Sequence, residues 1–162
     1  MPLSQIHYHF GSKLGLVLAL LEEQNQRLLE RQSETFAQDV ALSTRWDRAC
    51  DYLDQDLSSG YVRVLQEMIA AGWSDPVVAS AVRAMLQGWY DLLSQRAREA
   101  FDRFGGLGPF TPEEAACLVG HAFLGSEAII LLGLETDRIP TRQALRRFGD
   151  VLRGLEAAAE RG

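Results

Sequence analysis

Thr111-Pro-Glu-Glu-Ala-Ala-Cys-Leu-Val-Gly-His-Ala-Phe-Leu-Gly-Ser-Glu-Ala-Ile-Ile-Leu-Leu-Gly-Leu134 decides the fold. Thr111 can cap a helix, Pro112 suits its first turn and Glu114 completes a capping box. From Pro112 to about Leu134 the run is apolar almost all round. A helix of that kind must be covered on two sides, so it has to sit among other helices. Small residues, Gly120, Gly125, Ser126 and Gly133, permit close helix approach.

The surrounding segments supply those helices. Ser74-Asp75-Pro76 is a helix start, with a cap followed by proline. The helix it opens carries Val78, Val82, Met85, Leu86, Trp89, Leu93, Ala97, Phe101 and Phe104 at helical spacing. Gly105-Gly-Leu-Gly-Pro109 is the most flexible loop. After it, Thr141 is expected to cap a last helix bearing Leu145, Phe148, Leu152 and Leu155. Upstream, Ser43 or Thr44 is expected to cap a helix with Trp46, Ala49, Cys50, Leu53 and Leu57 on one side. Ser58-Ser59-Gly60 is a turn, and Tyr61, Val64, Leu65, Met68, Ile69 and Trp73 mark the next helix. At the beginning, Pro2 opens a short helix to about His9, Gly11 ends it, and Ser12 caps a long one running towards Phe36 through Leu16, Leu20, Leu21, Gln24, Leu28 and Leu29. No period-two strand pattern and no internal repeat is present. The expected fold is all-α, a bundle of about six long helices.

Bulk composition narrows the function classes. The chain has 162 residues, 47% of them apolar, enough for a real core. No apolar run reaches membrane-spanning length without interruption, and the N-terminus lacks a secretory pattern. Cys50 and Cys117 are too few for a disulfide scaffold and read as buried reduced thiols, which favours the cytoplasm. A net charge of −6 does not suit a nucleic-acid binder taken whole, so any DNA contact must be local. Catalysis finds little support. There is no nucleophile elbow, phosphate loop or metal-ligand cluster, and His121 and Glu127 point to different sides of their helix. The His7 and His9 pair does not make a metal site, because residues two apart do not share a helix face. No cofactor is implied.

The segment Ile6-His-Tyr-His-Phe-Gly-Ser-Lys13 carries the sharpest functional signal. It resembles the end of the helix-turn-helix in tetracycline-repressor-like (TetR/AcrR) regulators, where a tyrosine, any residue, His-Phe, two small residues and Lys follow one another. His9-Phe10-Gly11-Ser12-Lys13 is the match, with Tyr8 just before it. His7 stands where the family most often has tyrosine. The resemblance implies a recognition-helix remnant in which Ser4, Gln5 and His7 reach bases or backbone and Tyr8, His9 and Lys13 position phosphates. Such roles suit short polar groups near a helix start and donors at its far end. It also implies two further helices before Met1, needed to bury Ile6 and Phe10. Operator DNA is therefore an expected partner only once those helices are present.

The same resemblance divides the chain into residues 1–38, the remnant and linking helix of the DNA-binding domain, and residues 39–162, a ligand-binding and dimerisation domain of the TetR C-terminal type. It implies a homodimer through the last two helices, for which Leu118, Ala122, Gly125, Ser126, Ile129, Phe148 and Leu152 are the expected interface. The expected effector is small and largely apolar. Its candidate lining is Trp46, Cys50, Met68, Trp73, Met85, Trp89, His121, Phe123 and Glu127. Met and Trp line both adaptable cavities and plain cores. His121 and Glu127 need partners if buried, and cavity, cap and interface roles are all open to them. The expected function is a ligand-responsive transcription regulator, a repressor in the family's usual mode. A stand-alone ligand-binding or dimerisation module without DNA binding is the alternative.

Overall fold

In the computed structural model, six helices follow one another: α1 (Leu3–Ala37), α2 (Leu42–Ser59), α3 (Tyr61–Gly72), α4 (Pro76–Phe104), α5 (Pro112–Leu131) and α6 (Thr141–Ala159). The structure describes the backbone of residues 3–106 and 108–161 and the side chains of residues 13–106 and 108–161. Among these there is no strand, only an isolated bridge between Thr136 and Ile139. The protein is an all-α bundle, as its helical periodicity predicts.

Two of the expected helix starts form as their side chains dictate. Asp75 accepts the N–H groups of Val77 and Val78 ahead of Pro76, and Thr111 and Glu114 close a reciprocal capping box. Gly60 (φ 85°) makes the α2–α3 turn in the left-handed region that favours glycine. Two other expected caps are replaced. Ser43 lies inside α2 rather than before it, and Glu156 of α6 accepts the Leu42 N–H and the Ser43 hydroxyl (2.6 Å). Thr141 likewise is already helical, and Glu135 accepts the Arg142 N–H at 2.8 Å. In both places a carboxylate meets the positive end of a helix, which a hydroxyl does less strongly.

Two boundaries also differ from expectation. α1 runs unbroken through Gly11 and Ser12, so the short helix and the long one are a single element. An interior glycine costs a helix only about 1 kcal/mol, less than breaking the hydrogen-bond ladder on both sides of it. α5 stops at Leu131, three residues before Leu134, because Gly133 (φ 69°) turns the chain.

Two apolar clusters fill the bundle. Trp46, Cys50, Leu53, Phe123, Leu145 and Leu152 join α2, α5 and α6. Leu21, Leu65, Val78, Val82 and Met85 join α1, α3 and α4. The α2–α6 contact is the most closely specified. The Trp46 indole donates to the Leu145 carbonyl at 2.7 Å, and Gly149 leaves so little room that a Cβ there would lie 2.9 Å from Asp47. Outside this contact, Arg142, Arg146 and Arg153 pair with Asp54, Asp51 and Asp47. Exposed pairs of this kind add little stability each, but their complementary rows fix the register of the two helices.

Candidate functional site

A cavity of about 910 Å³ runs through the bundle and past α5 to the surface. It lies at the upper end of the range for small-molecule sites. Every helix contributes to its wall. On α1, Asn25, Leu28, Gln32 and Phe36 face it at spacings of three and four, a stripe on one side of the helix. α2 and α4 contribute Trp46 and Trp89, and α5 contributes Phe123 and Glu127. The Trp46 and Phe123 rings meet edge to face at 5.4 Å, a favourable arrangement for aromatic pairs.

The charged groups collect at two ends, and between them Gln32 accepts the Trp89 indole N–H at 3.2 Å. At one, Glu127 is buried, and its Oε2 accepts a hydrogen bond from Gln66 at 2.8 Å. Tyr61 donates to Asn25 nearby at 3.3 Å. Arg31 grips both oxygens of Asp56 at 2.7 and 3.0 Å. Burial pushes the Glu127 carboxyl up to about 7, more than the Gln66 hydrogen bond holds it down. Burial, with Glu127 close by, also raises Tyr61, and burial raises Asp56 despite its arginine. At the other end Arg45 and Arg96 share the Glu99 carboxylate, at 3.5 and 2.8 Å. From Arg45 to Asp56 is about three turns of α2, so the ends lie about 16 Å apart.

Of the nine residues expected to line a ligand site, the structure brings five to the cavity: Trp46, Trp89, His121, Phe123 and Glu127. His121 stands at the exposed rim, its ring 6.0 Å from that of Tyr90. The other four are elsewhere. Cys50 is core, and burial pushes its thiol up to about 11, which leaves it a poor nucleophile. Met68 and Met85 pack in the α1–α3–α4 cluster. Trp73 is 83% exposed. It follows the last residue of α3, where Gly72 abuts the Ala79 backbone and closes the gap between α3 and α4. The apolar spacing that places Trp73 inside continues on paper past the point where the helix stops.

The seven expected interface residues all belong to the wall of this same cavity, where it opens past α5. Leu118 is 54% exposed, and Ala122 and Gly125 are open to solvent beside it. Ser126 donates to the Ala122 carbonyl at 2.6 Å and is half-buried, as is Ile129. Phe148 of α6 is exposed although its ring touches Trp46. Together with Leu132 just past α5, and with Val151 and Leu155, they leave apolar side chains exposed along α5 and α6, a pattern that marks interaction surfaces when contiguous. Leu152 is the exception: it is buried in the Trp46 cluster. Cys117 too is exposed rather than buried, 3.8 Å from His121. α5 is, among the described residues, the helix long and apolar enough to cross a membrane. Its inner side is committed to the bundle through Ala116, Gly120, Phe123 and Glu127.

Of the expected DNA contacts, Lys13 is exposed on α1. The side chains of Ser4, Gln5, His7, Tyr8 and His9 lie outside the described residues. No group of three or more His, Cys, Asp or Glu side chains among the described residues is placed to hold a metal. The polar wall of the cavity is the part that periodicity does not reveal. Asn25 and Gln32 occupy positions on the apolar stripe of α1, and a polar residue in an apolar stripe is the one sequence signal that could have marked them. No family model matches the chain, and neither a curated protein nor a solved structure does.

Proposed function

We propose that this chain is the regulatory part of a ligand-responsive transcription regulator of the tetracycline-repressor type, a cytoplasmic homodimer that acts as a repressor. The observation that carries the reading is the sharing of α1. Asn25, Gln32 and Phe36 line the cavity, and the same helix continues to the segment that resembles the end of a helix-turn-helix. A ligand that prefers one packing of α1 against its neighbours would shift the orientation of that segment. The uncovered face of α5 and α6 supports a second copy as partner, because a twofold contact lets one apolar patch cover its equal. Leu16 and Leu20, exposed one turn apart near the start of α1, suit a helix that carries further helices there.

The test is a gel-shift assay on the DNA upstream of the gene, with this chain and with any longer product of the same reading frame. A salt-sensitive complex of nanomolar affinity is expected. Absence of any shift overturns DNA binding. The outcome would then favour a stand-alone ligand-binding or dimerisation module, to which the net charge of −6 and the uninterrupted α1 already lend weight. Sedimentation of the present chain at micromolar concentration tests the dimer by itself, and a monomer there overturns it.

A further inference from the structure

The two ends of the cavity are not electrically alike. Arg31 pairs with both oxygens of Asp56, and Arg45 and Arg96 share Glu99 and reach the carbonyls of Gln38 and Phe36, so each guanidinium has its carboxylate although its Nε is buried without a hydrogen-bond partner among the described residues. Glu127 has no cationic partner among the described residues. Its Oε2 bonds a neutral amide, its Oε1 accepts no hydrogen bond among the described residues, and the side chain lines the cavity while 92% of the residue is shielded from solvent. A buried carboxylate without a counter-charge is costly, and an arriving cation removes that cost. The wall beside it is apolar and aromatic.

We propose that the cavity takes an amphipathic cation, an amine whose ammonium pairs with Glu127 and whose apolar body lies along Phe123, Trp46 and Trp89. The inference rests on reading this cavity as a ligand site. Trp46 and Trp89 add aromatic surface to the wall along which such a body would lie, and the guanidiniums at the far end discourage the reverse orientation. Pairing ionises Glu127, so binding at neutral pH releases part of a proton. The groups that face Glu127 are Asp56 from α2, already paired with Arg31 of α1, and Tyr61 and Gln66 from α3. Tyr61 stays protonated throughout the neutral range.

The experiment compares octylamine, octanol and octanoate below their aggregation limits, read by tryptophan fluorescence in a Trp73→Phe background, so that the signal comes from the cavity. At pH 8 octylamine is expected to bind about tenfold more tightly than octanol, as one charge-assisted hydrogen bond warrants. Glu127→Gln abolishes that preference and leaves octanol within about twofold, while Glu127→Asp, which keeps the charge, retains part of it. From pH 8 to pH 6 octylamine affinity falls about tenfold in the native chain, as the carboxyl takes up its proton, and stays flat in Glu127→Gln. Octanoate as the best ligand overturns the proposal in favour of the Arg45 and Arg96 end. Equal amine affinity in the native chain and Glu127→Gln overturns it while leaving an apolar site. Binding of none of the three overturns the ligand site itself. If Glu127→Gln fails to fold, the pH profile of the native chain decides.

Discussion

Gly120 and Gly125 lie little more than one turn apart on α5 and meet opposite surroundings. A Cβ on Gly120 would fall 2.4 Å from the Tyr90 ring of α4, whereas around Gly125 nothing lies within 4 Å. The same division runs the length of the helix. Ala116, Phe123 and Glu127 are buried with Gly120, and Leu118 and Ala122 are bare beside Gly125. Both sides are apolar, so composition does not separate them. What separates them is whether this chain supplies a neighbour. The inner side is explained by the fold, and the outer side is the open wall of the cavity, left for a ligand or a second copy to cover.

Truncating the inner side should have the largest effect. Phe123 is buried against Trp46 in the cluster that joins α2, α5 and α6. Phe123→Ala is expected to cost about 3–5 kcal/mol in a denaturant melt, from lost burial and the void it leaves. Leu118→Ala, on the outer side, is expected to stay within about 0.5 kcal/mol when measured on the monomer. Similar losses from both would erase the distinction between the two sides.

Glu127 provides a second, pH-dependent handle on the inner side. The folded carboxyl holds its proton to about pH 7, while an unfolded one releases it near 4.5. Between those values the folded chain binds more protons, so stability contributed by this group is present below the lower pKa and is lost as pH rises through the upper one. The loss amounts to about 3 kcal/mol. Glu127→Gln removes it: the variant should be more stable than the native chain at pH 8 by up to that amount and less clearly so at pH 5. A difference independent of pH in paired thermal melts would mean that Glu127 is not held in the dry position described.

Helix periodicity carries most of this architecture, because it needs only residues three and four apart. Trp46 and Leu145 read as inward from spacing alone, and inward they are. Periodicity fails where the decisive partner is distant in sequence. Ser43 and Thr141 have the chemistry of caps, yet Glu156 takes the first role from the other end of the chain, and Glu135 the second from the preceding loop. Met68, Met85 and Trp73 share the residue types of a cavity lining and lie elsewhere, since type does not tell which of two clusters a helix face meets. The aspartates of α2 and the arginines of α6 pair only once those helices are side by side. Asp56, Tyr61 and Gln66, which set the polar end of the cavity, became visible only once α2 and α3 pack against α5.

The smallest expected effect bears most directly on what lies outside the chain. Gly125 sits in the middle of a helix, where glycine costs up to about 1 kcal/mol relative to alanine. With no atom within 4 Å of its Cβ position, nothing inside the chain requires it. Gly125→Ala should therefore raise the stability of the isolated monomer by about 0.5–1 kcal/mol, seen in a melt at submicromolar concentration. If α5 packs against its copy at this point, the added methyl enters the tightest part of that contact, and small residues are what allow helices to approach there. The dimer should then weaken several-fold in sedimentation even as the monomer gains stability. Opposite signs in the two measurements would place a second copy at Gly125. A gain in stability with unchanged dimer affinity would move the interface elsewhere along α5 and α6, and a loss of monomer stability would contradict the open surroundings of Gly125.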